Sequence, residues 1–379
     1  MKSEQPDSYE GAAELLRGAA ADGCRVRFRG GGTKLGWGRP VPEPDLEIAT
    51  GGLERVLEHN AGDFTAVLQA GVPLAVAQDT FAAAGQMLAL DPPLSPWGGA
   101  GDDAAFETVD AGATIGGIVA SADSGPLRHR YGGVRDLVVG VTVVLSDGTV
   151  ARAGGKVIKN VAGYDLGKLF AGAFGTLGLI AEVTVRLHPR PARTATVVAR
   201  SSDPARLAAA AAALAHAPLE ADCLDLWWDA STVAGAPTAA SAAGAVLARF
   251  GSADPAPRAE EAAALLRRMG DLSIEIDDDD GPCWEAQRAA QRSDVVVKVS
   301  ALPATLPAAL AATEALGGTL VARAGLGLAW IQLPAGPPAT GPASGDATGA
   351  APSEGAGVVA AIGELRRRLS PAPCVVLDA

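Results

Sequence analysis

Arg29-Gly30-Gly31-Gly32-Thr33-Lys34-Leu35-Gly36 follows directly on the strand-like stretch RVRFRG after Gly23. Three glycines in a row permit backbone angles that side chains forbid, and they let main-chain N–H groups crowd against a ligand. A concave nest of such amides binds anions, a phosphate or pyrophosphate above all, and the Thr33 hydroxyl adds a donor. Standing alone, the run could equally be a flexible turn. The spacing is neither GxxxxGK[ST] nor the GxGxxG that leads from a strand into a helix. Pro40 and Pro42, soon after Gly38, argue against a long helix here. A dinucleotide held by this loop would therefore sit on a fold other than a P-loop or Rossmann unit.

Two further glycine clusters follow. The first, Gly112-Ala113-Thr114-Ile115-Gly116-Gly117-Ile118-Val119-Ala120-Ser121-Ala122-Asp123-Ser124-Gly125, precedes Arg130-Tyr131-Gly132. Glycines beside small hydroxyl residues suit a backbone lying flat against a large planar ligand, although a tightly packed helix start would look the same. The second comprises Asn160-Val161-Ala162-Gly163-Tyr164-Asp165-Leu166 and Gly172-Ala173-Phe174-Gly175-Thr176-Leu177-Gly178-Leu179-Ile180. Here glycines lead into a strand, where edge backbone groups can hydrogen-bond a heterocycle, and a plain tight turn is the alternative.

Around these clusters the chain reads as short apolar runs divided by turn signals. Glu10 to Ala21 has helical character, DLEIAT after Pro44 is a strand, and VPLAVAQDTFAAAG is a helix with Pro73 near its first turn and Gly85 closing it. Leu137 to Leu145 and Thr149 to Ala153 are strands around Ser146-Asp147-Gly148, whose Asp-Gly pair signals a hairpin. The strand LIAEVTVRLHP, from Leu179, is expected to end at Pro189. Beyond about Thr194, strand–helix–strand units with antiparallel returns succeed one another: TATVVAR, RLAAAAAALAHA, ADCLDLWW, AVLARF, RAEEAAALLRRM, LSIEI, WEAQRAAQ, DVVVKVS and LPAALAATEAL. The run from Pro334 to Gly357 has almost nothing apolar larger than Ala and reads as a flexible surface insertion. The helix VVAAIGELRRRL and the strand CVVL close the sequence.

Taken together and in this order, the three clusters resemble the FAD-binding domain of the vanillyl-alcohol oxidase and p-cresol methylhydroxylase superfamily, from near residue 25 to residue 190. Within it, GKVIKNVAGYDLGKLFAGAFGTLGLIAEVTVRLHPRP from Gly155 resembles the E-type FAD-binding subunits of bacterial glycolate oxidases. The expected fold class is α+β. A two-subdomain p-cresol-methylhydroxylase-type FAD-binding domain would span 1–191, and an α+β cap-like domain with antiparallel sheet 192–333. The Pro/Gly/Ala-rich insertion would span 334–357, and a final helix and strand of the second domain 358–379.

The resemblance implies that Gly30, Gly31, Gly32, Thr33, Lys34 and Leu35 form the pyrophosphate loop. It implies that Asp91, Pro92 and Pro93, with Thr114, Gly116, Gly117, Ser121, Ser124 and Gly125, line the flavin. Gly175, Thr176, Gly178 and Ile180 would hold it through backbone contacts. Many catalytic relatives carry an acidic residue where this chain has Phe174, a departure that favours the E-type subunit. Some tether FAD through a histidine near the loop or a cysteine near the second cluster; this loop has no histidine and no cysteine falls between Cys24 and Cys223, so binding is expected to be non-covalent. The 2-hydroxy-acid dehydrogenases of the superfamily also share a C-terminal histidine motif, and no histidine follows His216 here.

The implied function is that of an FAD-binding subunit of a glycolate oxidase (glycolate dehydrogenase) complex. It would oxidise glycolate, a small 2-hydroxy acid, to glyoxylate by hydride transfer to flavin, beside a second flavoprotein subunit and an iron–sulfur subunit. A self-sufficient FAD oxidoreductase of another small alcohol or 2-hydroxy acid such as D-lactate, or a non-catalytic flavin-binding scaffold, are the alternatives. Oxidation needs a base for the hydroxyl proton and a cation for the carboxylate. Arg128, Arg130, Lys159 and Arg323 are available cations, Tyr164 is a donor, and His129 lies near the second cluster, but residue type alone assigns none of them a catalytic role.

Composition excludes other classes. The net charge of −12 over 379 residues repels phosphate backbones, so nucleic acid is not an expected partner. No run approaches the roughly 18 to 20 apolar residues of a spanning helix. The acidic start MKSEQPDSYEGAAELL lacks the pattern of a secretory signal, so the expectation is cytoplasmic, with the inner membrane face reached only through partner subunits. Cys24, Cys223, Cys283 and Cys374 form no CxxC pair, and His59, His129, His188 and His216 show no metal-ligand spacing.

Overall fold

A computed structural model of the chain describes residues 1–39, 41–93, 112–156, 164–230, 243–334 and 354–378. They divide into two units. Unit 1 is Met1–Leu35 with Pro40–Pro191, and unit 2 is Gly36–Arg39 with Ala192–Ala379. As expected, the fold is α+β: helices combined with sheets that are mostly antiparallel.

Unit 1 opens with β1 (Lys2–Glu4), α1 (Tyr9–Ala21), β2 (Val26–Arg29) and β3 (Leu46–Ala49), whose strands form a small parallel sheet in the order β1-β3-β2. Ser8 caps α1 by accepting from Gly11 N at 3.3 Å. Ala12, Ala13, Leu16 and Ala19 recur at helical spacing, giving α1 one apolar stripe. That stripe packs on Leu46 and Ile48 of β3 and also on Val144, Leu179 and Ala181. The latter three belong to the region of a larger sheet, so α1 seals one core shared by both sheets.

The rest of unit 1 runs β4 (Val56–Asn60), β5 (Thr65–Gln69), α2 (Leu74–Ala82), β6 (Gln86–Met87), α3 (Ile115–Ser121), α4 (Arg128–Tyr131), α5 (Val134–Leu137), β7 (Val138–Val144), β8 (Val150–Gly154), α6 (Leu166–Phe170), β9 (Leu179–Arg186) and β10 (His188–Pro189), with β6 and β10 paired apart from the larger sheet. Its five strands run in the order β4-β5-β9-β7-β8, all antiparallel. The face away from α1 is covered by Phe81 of α2, Ile118 of α3, Leu137 of α5 and Phe170 of α6, on Leu68, Val141, Val143, Val183 and Val185. The Asp-Gly hairpin forms between β7 and β8: Gly148 adopts φ +78° and Asp147 Oδ1 accepts from Thr149 N at 2.8 Å. Two details differ from expectation. The strand beginning at Leu179 ends at Arg186, and Pro189 lies in a separate two-residue pairing with Gln86. Strands β4 and β5 have no counterpart among the expected elements.

Unit 2 contains β11 (Arg193–Ser201), α7 (Pro204–His216), β12 (Cys223–Asp229), β13 (Gly244–Ser252), α8 (Ala256–Arg267), β14 (Ser273–Asp277), α9 (Gly281–Ala289), β15 (Val296–Ser300), α10 (Leu306–Ala315), β16 (Thr319–Arg323), β17 (Leu328–Gln332), α11 (Glu354–Leu369) and β18 (Cys374–Asp378). Its eight strands form one antiparallel sheet, β14-β11-β13-β12-β16-β17-β15-β18. Period-2 alternation sends Leu224, Leu226 and Trp228 of β12 into the core made with Leu207, Leu214, Leu266, Leu310 and Leu365 of the helices. Between them, Asp225 is also buried, and its Oδ2 lies 2.5 Å from Nη1 of Arg323, its cross-strand partner on β16. The Arg323 guanidinium stacks 4.8 Å from the Trp330 ring centroid. The Pro-rich run 334–357 lies mostly outside the described residues, and its last residues from Glu354 already belong to α11.

Candidate functional site

In unit 1 a cleft of about 830 Å³ opens where the loop after β2, helix α3 and the segment before β9 converge. All three glycine clusters reach it. From the first come Gly30, Gly31, Gly32, Thr33, Lys34 and Leu35; from the second Thr114, Gly116, Gly117 and Ser121; from the third Gly175, Gly178 and Ile180.

Local chemistry explains why these backbones converge. Gly32 has φ +72°, so the chain turns inside the triplet. Among the described residues, none of the amides of Gly30, Gly31, Gly32 and Thr33 donates to a main-chain carbonyl. Amides left open in one turn are what an anion-binding nest requires. Gly30 touches the start of α3 so closely that a Cβ there would lie 2.2 Å from Thr114 Oγ1. That hydroxyl is the N-cap of α3 and accepts from Gly117 N at 3.3 Å. The third cluster is docked on α3 by main-chain bonds, from Gly172 N to Val119 O at 2.9 Å and from Phe174 N to Ala120 O at 2.8 Å.

Six expected residues, Asp91, Pro92, Pro93, Ser124, Gly125 and Thr176, do not line the cleft. Asp91 Oδ1 accepts from Leu127 N at 3.0 Å, and a Cβ on Gly125 would fall 1.8 Å from Asp91 O, so Asp91 and Gly125 form a close main-chain crossing. Pro92 is buried next to it. Ser124 accepts from Arg128 Nη1 at 3.3 Å and donates its amide to Asp123 Oδ1 at 2.8 Å. Thr176 donates from Oγ1 to Ala173 O at 2.6 Å within its own turn. These residues brace the walls.

Sequence reasoning left out several that do line the cleft: Phe28, Thr50, Ala70, Phe170 and Phe174. Phe28 and Phe170 sit at the ends of elements facing the cleft, a signal present in the alternation of β2 but not used. Ala70 and Thr50 carry no chemical signal at all. Phe174 is half exposed at the cleft and has φ +52°, a conformation costly for a bulky side chain.

Among the described residues, the cations lining the cleft are Arg29 and Lys34. Arg29 Nε lies 2.7 Å from Oε1 of the buried Glu47, and Lys34 Nζ 3.1 Å from Oδ2 of the buried Asp123. The cation candidates drawn from sequence are elsewhere. Arg128 and Arg130 are on α4 and do not line the cleft, Arg323 is buried in unit 2, and Tyr164 is 91% exposed. Lys159 lies outside the described residues, as do Asn160, Val161, Ala162 and Gly163. His129 is held below the ordinary imidazole range by burial and, secondarily, by Arg130. Neither His nor Cys is among the residues that line the cleft.

The donor set suits a dinucleotide: open amides and two cations for phosphates, small residues and three phenylalanines for a planar ring. FAD fits it, and the loop that would hold its phosphates is pressed so closely on α3 that a Cβ at Gly30 would lie 2.2 Å from Thr114 Oγ1.

Comparison with known proteins agrees. Residues 4–101 and 104–154 match the family model described as FAD binding domain. The glycolate oxidase subunit GlcE of Escherichia coli is 32% identical over 185 residues, 49% of this chain and 48% of that protein. D-lactate dehydrogenase of Archaeoglobus fulgidus is 35% identical over 195 residues, covering 52% of this chain and 40% of the relative. The chain thus spans about half the length, or less, of these curated relatives. The crystal structure of p-cresol methylhydroxylase with substrate bound superposes with TM-score 0.66 over 87% of this chain and 74% of its own, at 14% identity. That is likeness of fold. Among the described residues, no helix is long and apolar enough to cross a membrane.

Proposed function

From the match of residues 4–101 and 104–154 to the family model described as FAD binding domain, we propose that the chain holds FAD non-covalently in the unit 1 cleft. We propose further that it is the flavin-carrying subunit of a 2-hydroxy-acid dehydrogenase of glycolate oxidase type. The observation that carries this reading is the convergence of all three glycine clusters on one cleft whose loop amides are open.

When bound, FAD supplies the acceptor for the hydride that leaves C2 of the hydroxy acid. The chain's own residues bind and orient. The amides of Gly30 to Thr33, with Lys34 and Arg29, take the pyrophosphate; Gly116, Gly117 and Ser121 leave room for a flat ring; main-chain groups from Gly175 to Ile180 fix its edge. The walls around Phe28, Phe170 and Phe174 exclude water. Among the described residues, none that lines the cleft is a histidine or an acid that could take the substrate's hydroxyl proton. This supports dependence on companions, which we assign as a second flavoprotein subunit and an iron–sulfur subunit. The complex would work in the cytoplasm or at the inner membrane face. Glycolate is the favoured substrate because of the likeness to GlcE.

A second reading, a self-sufficient dehydrogenase of D-lactate or a related acid, is favoured by the Archaeoglobus relative. The test is to purify the chain alone and with its companions. Absorption near ~450 nm is expected in both, with glycolate bleaching the band only when the companions are present. A colourless chain that takes up no FAD overturns the cofactor reading. Bleaching of the isolated chain by D-lactate selects the second.

A further inference from the structure

We propose that Asp123 is a positioning residue for cofactor binding: it fixes Lys34 Nζ beside the glycine cradle, so that a diphosphate entering the cleft meets a cation already desolvated and aimed. The proposal rests on the FAD reading given above and adds to it a residue outside the cleft lining.

Lys34 directly follows the cradle, and its side chain is only 8% exposed, yet it lines the cleft. Asp123, at 2% side-chain exposure, does not line it and comes from the chain just past α3. The carboxylate is itself oriented, because Oδ1 accepts from Ser124 N at 2.8 Å while Oδ2 faces Lys34 Nζ at 3.1 Å. The ammonium also reaches Thr33 Oγ1 at 3.1 Å and Pro93 O at 3.5 Å. It is therefore held by partners from three separate segments.

Taking an ammonium out of water is expensive unless a carboxylate compensates, and a buried ion pair adds little net stability over an apolar pair of the same size. An ion pair at this depth thus makes poor sense as a fastener alone. It makes sense as a means of keeping a charge in a dry site. The same construction recurs on the other side of the glycine triplet, where buried Glu47 backs Arg29 through a 2.7 Å contact. Each cation at the cradle is thus backed by a buried carboxylate. Lys34–Asp123 also joins the first and second glycine clusters, so binding at one presets the other.

The full-length apo chain would be titrated with FAD, following flavin fluorescence, in wild type, Lys34→Met, Asp123→Asn and the double variant. Riboflavin, which has no phosphate, is the control ligand. Losing a charge-assisted contact predicts that either single change raises the FAD Kd about tenfold or more. The double variant should bind no worse than Lys34→Met, because Asp123 acts through Lys34. Riboflavin affinity of Lys34→Met should stay near wild type, while its apo Tm should fall, because Asp123 is left buried without its cation. Unchanged FAD affinity in either single variant, multiplicative losses in the double, or an equal loss for riboflavin would each overturn the proposal. If Asp123→Asn does not fold, Lys34→Met alone decides by its FAD-to-riboflavin contrast. A wild-type chain that binds no FAD instead refutes the cofactor reading.

Discussion

Replacing Gly30 by Ala tests how the pyrophosphate loop and α3 share space. The new methyl would lie 2.2 Å from Thr114 Oγ1, 3.4 Å from its Cβ and 3.5 Å from its Cγ2. Only the hydroxyl is in serious overlap, and it cannot simply rotate away, because it caps α3 through Gly117 N. Gly30→Ala must therefore either break the cap, at about 1 kcal/mol, or displace the loop against a packed wall, at about 1–3 kcal/mol. Thr114→Ala alone loses the cap and should cost about 1 kcal/mol. In the double variant the offending oxygen is gone and the nearest atom is the Cβ at 3.4 Å, so its cost should fall close to that of Thr114→Ala alone. A coupling of about 1–3 kcal/mol in the rescuing direction follows, well above the ~0.5 kcal/mol scatter of independent sites. Urea unfolding of the four apo proteins measures it, and FAD titration of the same set should rank them identically. Costs that simply add would mean that the loop yields freely, and the reasoning about shared space would be wrong.

Gly125→Ala places its methyl 1.8 Å from the main-chain oxygen of Asp91, which cannot rotate away; a loss of about 3 kcal/mol or more and poor FAD retention are expected in thermal melts and gel filtration. In unit 2, Asp225→Ala removes the carboxylate facing Arg323 and should cost about 3–5 kcal/mol, measured by urea unfolding, whereas Asp225→Asn, which keeps an acceptor, should cost less. Burial, opposed by Arg323, pushes the Asp225 carboxyl up to about 6, above its unfolded value; its contribution to stability is therefore fully present below about pH 4 and lost as pH rises through about 6. A pH series should lose that slope in Asp225→Asn. Burial and the bond to Glu182 push the Tyr9 phenol up to about 12, so its contribution holds below pH 10 and disappears as pH rises towards 12; ultraviolet titration of wild type against Tyr9→Phe should show one phenol ionising late.

What could be read from the chain alone follows from which physics is local. The hairpin at Asp147-Gly148 is written in two residues, and the stripe of α1 in four, so both were legible. The glycine triplet was legible too, since its conformational freedom belongs to the residues themselves. Strands β4 and β5 were not. VLEHN has three polar residues and two apolar ones, and its pairing partner TAVLQ is buried throughout, so neither shows clean alternation. At the cleft, Asp123 lies between Ser121 and Ser124 in the second glycine cluster, and the sequence marks nothing that sets it apart from them. Nothing in its neighbours reveals that the fold brings it to Lys34, 89 positions earlier. Conversely, Asp91 and Gly125 meet each other outside the cleft lining, because the main chain at Asp91 needs the room that a missing Cβ leaves.

The costs that unit 1 carries are not spread evenly. Gly30, Gly31 and Gly32 each lose more chain entropy on folding than Ala would, by about 0.5–1 kcal/mol. Phe174 is held at φ +52°, at about 1–3 kcal/mol. The Lys34–Asp123 pair is desolvated. All of these groups meet at one cleft or directly behind it, and the first two alone sum to roughly 2.5–6 kcal/mol, a large share of the 5–15 kcal/mol typical of a whole domain. A fold can retain such a concentration where a ligand offsets it. At a free FAD concentration of 100 times Kd, binding stabilises the native state by about 2.7 kcal/mol, and at 1,000 times by about 4.1. Unit 1 should accordingly be the less stable half without cofactor. Differential scanning calorimetry of the apo chain is expected to resolve an earlier transition that FAD moves upward, while the transition of unit 2 stays in place. Phe174→Gly should raise the apo transition, since it removes the strain, and yet bind FAD more weakly. An apo chain in which unit 1 melts last, or a Phe174→Gly variant that is less stable, would show that these costs are not stored at the cleft.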